Sequence, residues 1–266
     1  MAENCKNCNE IILSNFCSNC GQKKYKRIDK KYILDEIQYT FLHMNKGFWY
    51  SIKNIIKNPG KTARDFIDGN RVNHYKPILL TFVLSGIATF LTYKVLGLSE
   101  IMSRYYANNH MSSKFTNDLL SFLSSYTSIL MLALIPFFAL ATKIAFRKSG
   151  HNYFEHIVIN SFFLSFYTIF SIVLIYPIFF IFRNGSPETT LLITQISTLI
   201  VPFLLVWFFK EFYPEKSLKQ IIVNVLICFG LVILGYLIVI FIAVLIGIGI
   251  AFLKGGPETL QYMKPK

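Results

Sequence analysis

The chain has little charge. Aspartate, glutamate, lysine and arginine make up only 15% of its 266 residues, whereas 53% are hydrophobic and 16% aromatic. About a quarter of a soluble globular chain is charged, so the deficit indicates that lipid is the solvent for much of the surface. The middle of every long apolar run also lacks a charged residue. Because proton-coupled transporters and intramembrane proteases need buried ionisable groups, this absence counts against both classes.

Several motifs of common enzyme classes are missing. The sequence contains no His-Glu-x-x-His motif of zinc proteases and no Gly-x-Ser-x-Gly turn of serine hydrolases. Gly60-Lys61-Thr62 is similar to the end of a phosphate-binding loop, but Ile55 stands where that loop needs its first glycine. An enzyme is therefore the less favoured class.

One cluster of titratable residues keeps an enzymatic function open as an alternative hypothesis. His151-x3-Glu155-His156 differs by one residue from the His-x-x-Glu-His motif of inverted zinc proteases. On a helix, His151 and Glu155 share a face, while His156 lies about 100° away. A glutamate at a helix start also complements the helix dipole. We interpret the cluster as a helix cap and packing contact, in preference to a second metal site or an acid–base pair.

Cysteine is scarce, yet four of the five cysteines form two closely spaced pairs within the first 22 residues. Two such pairs supply the four thiolates of a tetrahedral Zn²⁺ site, because each short turn presents two sulfurs to one ion. We predict a structural zinc ribbon over residues 1–22, in which Asn9 and Gly21 adopt left-handed conformations after each pair. Zinc is favoured over iron, and metal binding over disulfides. The predicted ligands are Cys5, Cys8, Cys17 and Cys20.

The ribbon is followed by a basic segment. Residues 23–31 hold six basic residues and one acidic residue, and they form either a solvated tail or a surface for anionic lipid headgroups. Nucleic-acid binding is not expected, because Tyr25 alone interrupts the charges as a stacking platform. Residues 32–57 show apolar residues at helical spacing. They predict one or two amphipathic helices, either lying at the membrane interface or packed on the ribbon or the bundle.

A polar stretch precedes the first long apolar run. Asn58-Pro59-Gly60 predicts a turn, and Thr62-x-x-Asp65 predicts a capping box that begins a short helix ending at Gly69. Five charged or titratable residues lie within this stretch. We favour the interpretation that they form salt bridges that fix the helix on the bundle; the alternative is a binding site for a headgroup or a partner protein. These residues are Arg64, Asp65, Asp68, Arg71 and His74.

This stretch also carries a family resemblance. The residues concerned are Asn58-Pro59-Gly60-Lys61-Thr62, Asp65-Phe66-Ile67-x-Gly69-x-Arg71-Val72 and Tyr75-x-Pro77, together with Phe16-Cys17-x-x-Cys20-Gly21-Gln22. They resemble DUF3667, a family of uncharacterised bacterial membrane proteins. The resemblance implies a zinc ribbon before membrane helices and a bacterial origin. It implies no reaction.

Five apolar runs follow, each long enough to cross a hydrocarbon core of about 30 Å. The linker occupies residues 23–76 and the predicted bundle 77–253, with a tail at 254–266. Of 27 lysines and arginines, 14 lie in residues 1–76, which predicts a cytoplasmic N-terminus. No secretory leader is evident, so the first span is expected to direct insertion. The predicted spans are 77–96, 119–146, 157–182, 191–209 and 221–253.

The last run has 33 residues without a charge, which favours one long tilted helix over a hairpin. The sequence therefore predicts an all-α polytopic membrane protein with a small N-terminal zinc ribbon, in the bacterial inner membrane. We expect a scaffold or interaction protein with cytosolic or membrane partners, which also contacts anionic headgroups. Transport or remodelling of a lipid or small molecule is the alternative, and a membrane enzyme at the cytoplasmic face is the second alternative.

Overall fold

The computed structural model describes residues 3–5, 7–21, 47–71 and 73–254 of the chain. These residues belong to two compact units, divided between Asn45 and Lys46, and each unit is described by itself. The predicted basic segment at 23–31, the first amphipathic stretch up to residue 46 and the tail from 255 onward lie outside the described residues.

The N-terminal unit contains a two-stranded antiparallel sheet. Strand β1 (Glu3–Asn4) pairs with β2 (Ile11–Ile12), with Glu3 opposite Ile12. Among the residues that the structure describes here, the core consists of Ile12 and the buried cysteines Cys5 and Cys17. Three buried side chains cannot stabilise a module alone, and small ribbons of this kind depend on a metal ion.

The second unit is a helical bundle. Its helices are α1 (Gly47–Lys57), α2 (Pro59–Ile67), α3 (Pro77–Phe90), α4 (Leu98–Asn108), α5 (Lys114–Ala145), α6 (Tyr153–Phe170), α7 (Tyr176–Phe182), α8 (Pro187–Phe212) and α9 (Leu218–Lys254). Two π-helical segments accompany these helices. Leu91–Val95 continues α3, and Ser171–Ile175 joins α6 to α7, whose second residue is Pro177, a residue that cannot donate a backbone hydrogen bond.

Five of the helical stretches are long and apolar enough to cross a membrane. Much of their apolar surface faces outward: Ile181 and Phe203 are 73% and 74% exposed. A surface of this kind needs lipid around it. The prediction of an all-α protein with five spanning helices is confirmed. The stretches are Pro77–Val95, Lys114–Ala145, Tyr153–Phe182, Pro187–Phe212 and Leu218–Ile242.

Helix α6 lies at the centre of the bundle. It packs against α3, α5 and α8 and also against the short helices α1 and α2 that precede the first span. One side of α6 buries large side chains such as Ile159, Phe162 and Phe166. The short helices therefore form part of the bundle.

Several helices begin before the predicted positions, and local contacts explain two of these differences. Helix α5 begins at Lys114 rather than at 119, because Ser113 and Thr116 form a capping box: the Thr116 amide donates to Ser113 Oγ (3.1 Å) and the Ser113 amide to Thr116 Oγ1 (2.8 Å). The predicted capping box at Thr62 is wrong. Helix α2 begins at Pro59, and Thr62 lies inside it with its hydroxyl donating to the carbonyl of Asn58 (2.8 Å).

The apolar pattern of the sequence does not define the structure at the ends of the long runs. The segment between the first two spans contains α4, which buries Ile101. The last run is one continuous helix, and Ser217 and Gln220 cap its start through reciprocal hydrogen bonds of 3.2 and 3.3 Å. Gly230 and Gly235 lie within this helix without breaking it.

Candidate functional site

The four N-terminal cysteines converge on one point. The sulfur of Cys5 lies 3.5 Å from that of Cys20, and the sulfur of Cys8 lies 3.5 Å from Cys17 and 3.4 Å from Cys20. All four sulfurs lie within 4.8 Å of one another. For comparison, a tetrahedral site with metal–sulfur bonds of about 2.3 Å places its sulfurs about 3.8 Å apart.

The two turns that carry the sulfurs have matching backbones. In the first, the amide of Asn9 donates to the carbonyl of Cys5; in the second, the amide of Gly21 donates to Cys17, and both distances are 3.0 Å. Asn9 (φ 60°) and Gly21 (φ 73°) are left-handed, which confirms the prediction for both residues. The amide of Asn7 also points at the Cys5 sulfur (3.4 Å).

The chemistry of the four donors fits a metal ion. A hydrogen bond from the Glu10 backbone lowers the pKa of Cys8, but the neighbouring thiol of Cys20 and burial outweigh it and raise this pKa to about 12. A thiol is a ligand only as the thiolate, so a metal ion that binds here must displace the thiol protons. The cluster can therefore hold one metal ion through Cys5, Cys8, Cys17 and Cys20.

The structure gives different partners to the three residues of the His151–Glu155–His156 cluster. Glu155 forms a capping box with Asn152: the Asn152 amide donates to the Glu155 carboxylate (2.7 Å), and the Glu155 amide donates to Asn152 Oδ1 (2.9 Å). His151 Nδ1 lies 3.2 Å from the hydroxyl of Tyr213. These contacts match the interpretation as a helix cap and packing cluster.

His156 instead joins a buried polar group between α5 and α6. Its Nδ1 lies 3.1 Å from Thr142 Oγ1, and the Asn160 amide donates to the same oxygen (2.8 Å). Sequence reasoning missed Thr142, because a single threonine in an apolar run gives no signal of its partners. Thr142 links two spanning helices through these contacts.

Other polar side chains inside the spans also pair between helices. Thr81 Oγ1 lies 3.0 Å from Ser165 Oγ and donates to the carbonyl of Ser161 (2.8 Å). Thr89 Oγ1 lies 2.9 Å from Ser128 Oγ. Such bonds each contribute about 1 kcal/mol or less to helix association. These polar side chains therefore have a structural role, because they hold neighbouring helices together.

The polar residues before the first span attach α2 to the end of α8. Arg64 donates to the carboxylate of Glu215 (2.9 Å) and to the carbonyl of Phe212 (3.2 Å), and it also pairs with Asp68 (3.6 Å). The hydrogen bond to Glu215 raises the pKa of Arg64 further above its ordinary value. This geometry agrees with the favoured interpretation that salt bridges fix the helix on the bundle.

Gly60 makes the closest backbone contact of this attachment. Its amide donates to the carboxylate of Glu211 (3.0 Å), whose other oxygen accepts from the indole of Trp207 (2.8 Å). A Cβ atom at Gly60 would lie 2.0 Å from the carbonyl oxygen of Phe208. Glycine is needed here so that α2 and α8 can touch, and the similarity of Gly60-Lys61-Thr62 to a phosphate loop has no functional meaning.

Helix α1 is fixed to the turn before α3. The Tyr75 amide donates to Ser51 Oγ (2.8 Å), and His74 Nδ1 lies 3.3 Å from the same hydroxyl. Phe48 and Ile55 are buried, while the neighbouring Trp49 is exposed. Of the two alternatives for this helix, the structure has it packed on the bundle.

Residues 45–89 match the model of DUF3667, a protein family of unknown function. The predicted resemblance is therefore confirmed over this segment, which spans α1, α2 and most of α3. Neither the curated proteins nor the solved structures contain a match to the chain. The matched segment includes residues that attach the short helices to the bundle, such as Ser51, Gly60 and Arg64.

Proposed function

We propose that this chain is a non-catalytic scaffold of the bacterial inner membrane. In this proposal a zinc-bound ribbon on the cytoplasmic side recruits a cytosolic or membrane protein, and the basic segment after it contacts anionic headgroups. The membrane bundle, which includes the short helices α1 and α2, anchors the ribbon. The observation that carries the proposal is the metal-binding geometry of a module whose apolar side chains lie mostly on its outside.

Zinc is the ion that best suits this site. Four thiolates with no open position suit a structural ion, and Zn²⁺ forms such sites without redox chemistry. In a reducing cytoplasm, closely paired cysteines are metal ligands rather than disulfides. The excess of lysine and arginine before the first span supports this placement of the N-terminus.

The outer surface of the ribbon supports a role in protein contact. Leu13 is 89% exposed, and Ile11 and Phe16 are each more than half exposed. Exposed apolar side chains that lie together on a small module are typical of a protein interaction surface. A partner that covers them would gain about 25 cal/mol for each Å² of apolar area removed from water.

The bundle gives less support to the alternatives. Threonine, serine and asparagine side chains in the spans pair across helices at Thr81, Thr89 and Asn160. Glu155 serves as a helix cap, which leaves it engaged at the start of α6. These contacts favour structural roles over transport and over catalysis.

Photocrosslinking in intact cells tests the scaffold. A photoreactive amino acid at Leu13 should give a discrete adduct that disappears when Cys17→Ser removes the metal site. The same probe at the exposed neighbour Ser14 is the matched control and should give much less of this adduct. Equal adducts from Leu13 and Ser14, or an adduct that persists in Cys17→Ser, would count against partner recruitment by the folded ribbon.

A further inference from the structure

A cleft of about 620 Å³ opens between the end of α5 and the start of α9. One wall is the short 3₁₀ turn Arg147–Ser149 after α5, and the other is the first part of α9 with the turn before it. Stacked rings hold the base of this region together: Phe146 lies 4.4 Å from Phe209 and 5.2 Å from Tyr213, measured between ring centroids. The cleft is therefore built from ordered elements.

Four basic side chains surround the mouth of the cleft, and no acidic residue lines it. Within the described part of the chain, none of the four takes part in an ion pair. The ammonium group of Lys216 lies 5.5 Å from the centre of the Tyr213 ring, which orients it. Positive groups around a concave apolar surface concentrate positive potential there. The four residues are Arg147, Lys148, Lys216 and Lys219.

The wall of the cleft changes from basic to apolar along α9. Lys219, Val223 and Ile227 follow one another at intervals of four residues, so they lie on one face of the helix. At 1.5 Å per residue, this face runs about 12 Å from the basic end into the candidate span. A phospholipid has a charged headgroup at the membrane surface and an acyl chain below it. The basic end of this face would lie beside the headgroup, and its apolar part beside the acyl chain.

We propose that this cleft binds one anionic phospholipid. The basic residues engage its phosphate, since lysine and arginine form charge-assisted hydrogen bonds with phosphate oxygens, and an acyl chain lies along Val223 and Ile227. The site requires only that α5 and α9 span a bilayer. It involves neither the ribbon nor its partner, so the scaffold proposal and this one can fail separately.

Native mass spectrometry of the full-length protein tests the site, with phosphatidylglycerol and phosphatidylcholine offered in equal amounts. The wild-type protein should retain phosphatidylglycerol in preference. The double variant Lys216→Gln/Lys219→Gln should lower its occupancy about tenfold or more, because each basic residue near the bilayer contributes about 1 kcal/mol. The matched control is Lys53→Gln/Lys57→Gln, which removes two exposed lysines from α1 and should leave occupancy unchanged.

A third variant separates a bound lipid from a bound phosphate group. Ile227→Trp fills the apolar part of the cleft at a half-exposed position and keeps every charge. It should weaken retention of phosphatidylglycerol, and excess inorganic phosphate should not displace the lipid from the wild type. Helical circular dichroism and a monodisperse elution profile would verify that each variant is folded.

Three results would overturn the proposal. Equal retention of both lipids would indicate that the cleft does not select an anionic headgroup. Equal losses in the cleft variant and in the Lys53/Lys57 control would indicate a general effect of surface charge. Displacement by phosphate, with no effect of Ile227→Trp, would indicate a site for a free anion.

Discussion

The behaviour of the ribbon depends on single cysteines. Each of the four sulfurs can supply one corner of a metal site, and the buried Cys5 and Cys17 also form most of the core in the described part of the module. The loss of one ligand therefore removes both a bond to the metal and part of the packing. The fifth cysteine, Cys228, lies buried in α9 and provides a thiol that belongs to the other unit.

We predict that Cys17→Ser abolishes stoichiometric metal binding and unfolds the ribbon without preventing membrane insertion, since three thiolates leave a structural site incomplete. Metal analysis of purified protein should fall from about one ion per chain to background. Cys228→Ser is the matched control and should keep its metal. Full metal content in Cys17→Ser would show that this residue is not a ligand.

A second prediction for a single residue concerns His74 and the loss of stability at acidic pH. Burial lowers the pKa of His74 below its ordinary value of 6.5, against a smaller opposite effect of Asp65. The unfolded chain therefore binds a proton at a higher pH than the folded chain, so the free energy of unfolding must fall as the pH drops below 6.5. We expect His74→Asn to reduce this acid sensitivity in thermal unfolding experiments.

The control for this experiment is His110→Asn, an exposed histidine at a left-handed position (φ 55°) that asparagine tolerates. Its unfolding temperature should depend on pH as that of the wild type does. The same acid sensitivity in all three proteins would contradict a role for His74.

At the level of elements, α2 is attached to α8 next to the first span. This attachment combines the ion pair of Arg64 with Glu215 and the bond from the Gly60 amide to Glu211. The ion pair is partly exposed and contributes little by itself. The close approach at Gly60 therefore has the larger share in fixing the helix.

We predict that Gly60→Ala destabilises the bundle by about 1–3 kcal/mol, because the added methyl group forces the two helices apart. The matched control is Gly86→Ala in α3, where a Cβ atom meets nothing within 4 Å. Thermal unfolding in detergent should lower the midpoint for Gly60→Ala alone. Equal midpoints for both variants would mean that α2 does not depend on this contact.

The same elements show how far sequence reasoning extends. The five spanning helices were predictable because long apolar runs dominate them, and the cysteine cluster because its spacing is specific. The start of α5 was not predictable in this way. The capping box at Ser113 begins the helix before the apolar run, so the helix includes the polar residues Lys114 and Asp118. The bond between Gly60 and Glu211 joins residues 151 positions apart, and no local pattern could reveal it.

At the level of the whole molecule, the chain combines four cysteines that can hold a metal ion with a membrane bundle whose first part matches DUF3667. The bundle presents apolar surface on its outside, whereas the core in the described part of the ribbon consists mostly of cysteines. The two units are therefore expected to depend on different conditions: lipid for the bundle, and metal with reduced thiols for the ribbon.

The proposed function depends on a metal-bound ribbon that faces the cytoplasm, and one measurement tests this proposal most directly. Metal content would be determined together with the labelling of cysteines by a membrane-impermeant reagent, in intact and in permeabilised cells. We expect about one zinc per chain. We also expect Cys5, Cys8, Cys17 and Cys20 to label only after permeabilisation and chelation. A protein without metal, or one whose cysteines label from outside intact cells, would contradict the proposal.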